Sequence, residues 1–164
     1  MRIRKRYGMK EKQFWKDVGP FTASFGVDLR GSKFEIAETD GPRAYILDGT
    51  PVVLEYGDRG AGGPTRLAPA LMGILKHPPS KRFVTVDSGA VRFLANGADV
   101  MAPGIVEADP GIVEGDVVWV REHTHGRPLS VGTALRPGAS MVHGEGKAVE
   151  VFHYVGDRLW KLFE

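Results

Sequence analysis

The chain of 164 residues contains no cysteine, which removes disulfides, thiolate nucleophiles, Cys-ligated zinc and iron–sulfur clusters together. Its length predicts one domain or two small ones, no apolar run approaches the roughly 20 residues of a membrane span, and no apolar stretch follows the basic start, so a cytoplasmic protein is expected. With 22 Gly and 11 Pro the sequence is rich in turn formers, and its net charge of +2 conceals seven basic side chains against one acid within residues 1–16.

That charge asymmetry predicts either a solvated helix face or a basic element offered to an anionic partner such as RNA. Residues 9–18 place Phe14 and Val18 at i,i+4 among Lys and Glu, and Gly19-Pro20 closes the expected amphipathic helix. Short strands follow at 33–37, 44–47 and 51–56, separated by Asp40-Gly41-Pro42 and Asp48-Gly49. After a Gly-rich loop at 57–63, Thr65 caps a predicted helix with Leu67, Leu71, Ile74 and Leu75 on one face, ended by Pro78-Pro79.

Phe83–Val86 reads as a strand, and Asp87 or Ser88 caps a helix that leaves through Asn96-Gly97 near Ala95. Five strands are predicted after it, at 99–102, 116–121, 129–135, 149–154 and 158–163, the last two as a hairpin about Gly156-Asp157. One helix and several strands joined by tight turns describe a small half-barrel. The change of texture near Lys81-Arg82 predicts two units, 1–80 and 81–164.

No active site assembles from the residue types. The five histidines, His77, His123, His125, His143 and His153, lack the carboxylate spacing of a metal site, and no serine stands in a nucleophile elbow. The segment 60–63 carries no phosphate-binding signature, and Asp87 serves better as a helix cap than as a lone catalytic carboxylate. No catalytic residue, metal or cofactor is therefore expected. Cations fare better: Lys76, Lys81, Arg82 and Arg92 cluster in sequence around the junction and suit a phosphate backbone. Phe152, Tyr154 and Trp160 suit either base stacking or core packing. At Gly97 and Gly104 the need for positive φ and the close approach of an RNA backbone are both open.

The run Val86-Asp87-Ser88-Gly89-Ala90-Val91-Arg92-Phe93-Leu94-Ala95-Asn96-Gly97-Ala98-Asp99-Val100-Met101-Ala102-Pro103-Gly104-Ile105 resembles the signature of the PUA domain of pseudouridine synthases and archaeosine transglycosylases. Glu114-Gly115-Asp116-Val117-Val118, Val131-Gly132 and His153-Tyr154-Val155-Gly156-Asp157-Arg158-Leu159-Trp160 extend the likeness over about 82–163. Upstream, Pro64-Thr65-Arg66-Leu67 and Lys76-His77-Pro78 resemble the pre-PUA domain of the malignant T-cell amplified sequence and ligatin families, of which this would be an archaeal-type homologue. The resemblance implies an α+β protein, an N-terminal α/β pre-PUA domain followed by a PUA pseudo-barrel of mostly antiparallel strands.

It also implies a non-enzymatic role in translation initiation or recycling, on the small ribosomal subunit, with tRNA acceptor ends or rRNA and a separate partner bearing a SUI-type domain. The alternative is an accessory role in RNA modification or ribosome biogenesis. The RNA contacts it implies are Gly89, Ala90 and Arg92 on the helix, Asn96 and Gly97 at its exit, Met101, Ala102, Pro103 and Gly104 on the following strand and turn, and Val151, Phe152, His153 and Tyr154 near the end. The N–H groups at Ser88–Ala90 are expected to face a phosphate.

Overall fold

The computed structural model describes residues 1–57 and 62–164, so the predicted loop at 57–63 lies partly outside the described residues. Five strands form an antiparallel sheet in chain order: β1 (Ile3–Gly8), β2 (Phe34–Thr39), β3 (Arg43–Leu47), β4 (Thr50–Tyr56) and β5 (Arg66–Pro69). Helix α1 (Glu11–Phe25) packs on this sheet through Phe14, which meets Phe34 and Tyr45 with ring centroids 5.1 and 6.0 Å apart.

Three expectations for this half are corrected. The Gly19-Pro20 pair does not end α1, because Phe14, Val18, Phe21 and Phe25 continue one buried stripe through it. Proline inside a helix costs about 3 kcal/mol, and burying two further phenylalanines returns about 1.5–3 kcal/mol each. The helix then stops at Gly26, whose φ is +59°. The basic segment is not one helix face, since Arg4, Lys5 and Arg6 lie on β1, where Arg4 pairs with Asp40 at 2.7 Å and Arg6 with Glu35 at 3.0 Å. The helix expected from Thr65 begins only at α2 (Leu71–Lys76), because residues 66–69 pair with β4. Pro69, which lacks an N–H, is tolerated there on an edge strand, and Leu75 is left 60% exposed.

The second sheet has the order β7-β11-β10-β9-β6-β8 and curls around its own core. Its strands are β6 (Phe83–Val86), β7 (Val100–Met101), β8 (Ile105–Ala108), β9 (Val117–Glu122), β10 (Pro128–Ala134) and β11 (Lys147–Tyr154). Only the β6–β9 pair is parallel. Between β6 and β7 lie a 3-10 turn, Ser88–Ala90, and the one-turn helix α3 (Val91–Leu94). β8 was not among the predicted strands; it pairs with β6 and widens the sheet.

The predicted terminal hairpin is also corrected. Residues 158–163 form helix α4 (Arg158–Phe163), capped by Asp157, whose Oδ1 accepts from the Trp160 N–H at 2.8 Å. Leu159 is buried in the core of the first sheet, with Trp160, Leu162 and Phe163 packed around it. An Asp cap ahead of apolar residues three and four apart is the helical signal, and it outranks the Gly-Asp turn.

The two sheets share that first core, because Val117, Trp119 and Val131 of the second sheet are buried in it. Trp119 is 2% exposed and its Nε1 donates to the Lys81 carbonyl at 3.0 Å. The connecting chain is held to the end of α1, with Ser80 N–H on Gly26 O and Lys81 N–H on Phe25 O. Arg66 donates to the Gly115 carbonyl at 2.8 Å and to Thr133 Oγ1 at 3.3 Å. No helix among the described residues is long and apolar enough to cross a membrane.

Candidate nucleic-acid interface

The segment between β6 and β8 builds a groove on the surface of the second sheet. Asp87 starts it: its N–H donates to the Gly104 carbonyl at 2.9 Å and its Oδ1 accepts from the Ala90 N–H at 3.1 Å. The Ala90 N–H is therefore spent inside the protein, which corrects the expectation that this turn offers it to a phosphate. α3 follows for one turn and exits through Asn96, whose Nδ2 holds the Arg92 carbonyl at 3.1 Å.

Gly97 has φ +84°, and a Cβ there would lie 2.6 Å from the Tyr154 ring. Both the backbone conformation and the approach of Tyr154 require glycine. Tyr154 thus braces the exit of α3 from the last strand. Gly104 has no positive φ; its neighbour is the Ala90 methyl, which a Cβ would meet at 3.4 Å.

The resulting groove, about 650 Å³, is walled by Ala90, Phe93, Leu94, Met101, Pro103 and Gly104. Phe93 is 55% exposed and Met101 50% exposed. The Arg92 guanidinium lies over the Phe93 ring at 4.8 Å, so a cation and an aromatic edge stand together at the rim. At the other end Asp99 accepts from the Val151 N–H at 2.8 Å and pairs with Lys147 at 2.8 Å. The Lys147 ammonium holds the Asp99 carboxyl below the usual aspartate range. An apolar floor and a cation with no carboxylate partner among the described residues suit a flat, partly apolar group carrying negative charge, such as a nucleotide.

The four cations read from the sequence are divided. Lys81 and Arg82 precede β6 and Arg92 follows it, and four residues of strand span roughly 13 Å. The Arg82 guanidinium lies 5.2 Å from the Phe25 ring and 3.7 Å from Asp116, in a cleft of about 510 Å³ between the sheets. Lys76 donates to Thr50 Oγ1 at 2.7 Å on the first sheet. Of the four, Arg92 alone stands at the groove.

Two residues of the expected contact set are enclosed. Ala102 is fully buried, and His153 is 2% exposed. His153 Nε2 accepts from the Leu71 N–H at 3.3 Å, so Nδ1 bears the proton and donates to Asp157 at 2.8 Å. It ties β11 to the start of α2 and to the cap of α4 from inside the protein. Burial pushes the Asp157 carboxyl up, but the hydrogen bonds from His153 and from the Trp160 and Tyr154 N–H groups outweigh it and hold the group below the usual aspartate range. Phe152 meets Tyr56 edge-on at 4.9 Å and is 37% exposed.

Phe93 was missed by the sequence reading. The signal was its position next to Leu94: with Leu94 turned to the core, a neighbour about 100° around the helix faces out.

The PUA domain model matches residues 82–155. An uncharacterized protein of Methanocaldococcus jannaschii is 41% identical over 167 residues, covering 99% of each chain. Translation machinery-associated protein 20 of Saccharomyces cerevisiae is 29% identical over 131 residues, which cover 75% of this chain and 68% of the yeast protein. The solved structure of a conserved PUA domain protein from Thermoplasma acidophilum superposes with a TM-score of 0.82 at 30% identity, over 98% of this chain and all of that one.

Proposed function

Since the chain belongs to the PUA-domain family, with translation machinery-associated protein 20 among its relatives, we propose that it is a non-enzymatic, cytoplasmic RNA-binding protein of the translation apparatus. The observation that carries this reading is the apolar groove at the signature segment, with Phe93 exposed and Arg92 at its rim. A base laid against Phe93 and Met101 removes apolar surface from water, and its phosphate meets Arg92. Such a seat suits unpaired nucleotides, whose bases can leave the stack, better than a regular duplex. The RNA it best fits is a tRNA acceptor end or an unpaired stretch of small-subunit rRNA. In this reading residues 81–164 hold the RNA, while residues 1–80 dock on the ribosome or on a separate partner carrying a SUI-type domain.

One or a few cations at the groove imply a shallow salt dependence, because each phosphate neutralised on a single strand contributes about −0.7 to the slope of log K on log salt. Deacylated tRNA should bind the wild type about 3- to 20-fold more weakly at 200 mM than at 50 mM salt. Arg92→Glu should weaken binding about tenfold at low salt and flatten the slope by about 0.7. Fluorescence anisotropy with labelled tRNA checks both, and equal affinity of the two proteins would sink the assignment of the groove.

A further inference from the structure

The first sheet ends in an edge that nothing among the described residues covers. β1 pairs only with β2, and five of its six residues, Arg4 to Gly8, are exposed. The other sheet edges are shorter or covered: β7 has two residues, β8 four, and β5 lies against β9. Met9 N–H donates to Phe34 O, so the alternation of an antiparallel pair bonds Tyr7 and Lys5 to β2. The N–H and C=O groups of Arg6 and Gly8 then face outward.

Charge on an edge guards it against indiscriminate pairing, and a strand of opposite charge is the partner such an edge favours. Arg4 and Arg6 are tied back to Asp40 and Glu35. Arg2 and Lys5 help to hold the Asp40 and Glu38 carboxyls below their usual ranges but, like Lys10 just beyond the strand, form no close ion pair among the described residues. From this open ladder and its excess of positive charge, with Arg2, Arg4, Lys5, Arg6 and Lys10 set against Glu35, Glu38 and Asp40, we infer that β1 is a docking edge for an extended, acidic peptide segment of another protein, which adds a strand to the first sheet. An RNA backbone would use the cations but leave the outward carbonyls without donors, whereas a peptide strand satisfies carbonyls and N–H groups alike. This surface lies on the other sheet from the groove and is independent of it.

The test uses the full-length, ¹⁵N-labelled protein with three probes: a ten-residue peptide alternating Glu and Thr, the same peptide with Gln for Glu, and a ten-nucleotide oligouridylate. The Glu peptide is expected to slow amide exchange at Arg6 and Gly8 at least tenfold, with the Gln peptide at least tenfold weaker. Arg2→Gln combined with Lys5→Gln, both at exposed positions, should weaken the effect at least tenfold, with the wild-type fold retained in the far-UV circular dichroism spectrum. Arg6→Pro, which removes an outward N–H together with a cation already tied back to Glu35, should abolish the slowing at Gly8. Unchanged exchange at Arg6 and Gly8 in the presence of the Glu peptide overturns the inference. So does a response to oligouridylate alone, which would make the edge a nucleic-acid surface.

Discussion

Trp119→Ala is expected to cost about 3–5 kcal/mol of stability, the range for removing a large aromatic from a close-packed core. The residue sits on β9 of the second sheet, yet its ring is buried in the core of the first, and its Nε1 holds the Lys81 carbonyl. One side chain therefore supplies packing to one unit, anchorage to the other and a hydrogen bond to the chain between them. The wild type should unfold in urea as a single transition, and the variant should do so at a markedly lower midpoint. Trp119→Phe, which keeps much of the packing and loses the Lys81 bond, should cost less than the alanine variant. A cost below about 1 kcal/mol for Trp119→Ala would mean that the two sheets are not welded through this residue.

Phe93→Ala should do the reverse, leaving stability nearly untouched and removing affinity for RNA. The side chain is more than half exposed, so its truncation should shift stability by no more than about 0.5 kcal/mol. Stacking of a base on an aromatic ring is worth about 1–3 kcal/mol, which corresponds to a fall in affinity of about 5- to 150-fold. Affinity measured beside a denaturation curve separates the two effects. Unaltered RNA binding by a folded Phe93→Ala protein would remove the ring from the interface. The contrast between Trp119 and Phe93, one buried and one exposed, makes the pair informative.

The groove segment was legible because its structure is local. Asp87 caps three residues on, and Gly97 takes its positive φ at the helix exit, so both features are written in neighbouring residues. The same holds for the strands β2, β3 and β4, which the turn residues between them delimit. What was not legible depended on distant partners. Pro20 could stay inside α1 only because Phe21 and Phe25 have a sheet to pack on, and residues 66–69 became a strand because β4 lay beside them.

The candidate site divides along the same line. Neighbourhood in sequence suggested that Lys81, Arg82 and Arg92 act together, but a strand separates them and Arg82 is engaged by Phe25 and Asp116. His153 stands beside Tyr154 in sequence, yet its ring turns inward to Leu71 and Asp157. Side chains alternate across a strand, so adjacent residues of one motif serve opposite faces. Motif matching alone places both on the RNA.

The claim that the groove between α3 and β7 seats RNA is tested most directly by titrating the ¹⁵N-labelled full-length protein with deacylated tRNA and following backbone amide shifts. The largest changes are expected on Arg92 to Gly104 and on Tyr154, with Trp119 and His153 unmoved. Shifts concentrated in residues 2–16, with the groove amides unchanged, would contradict it.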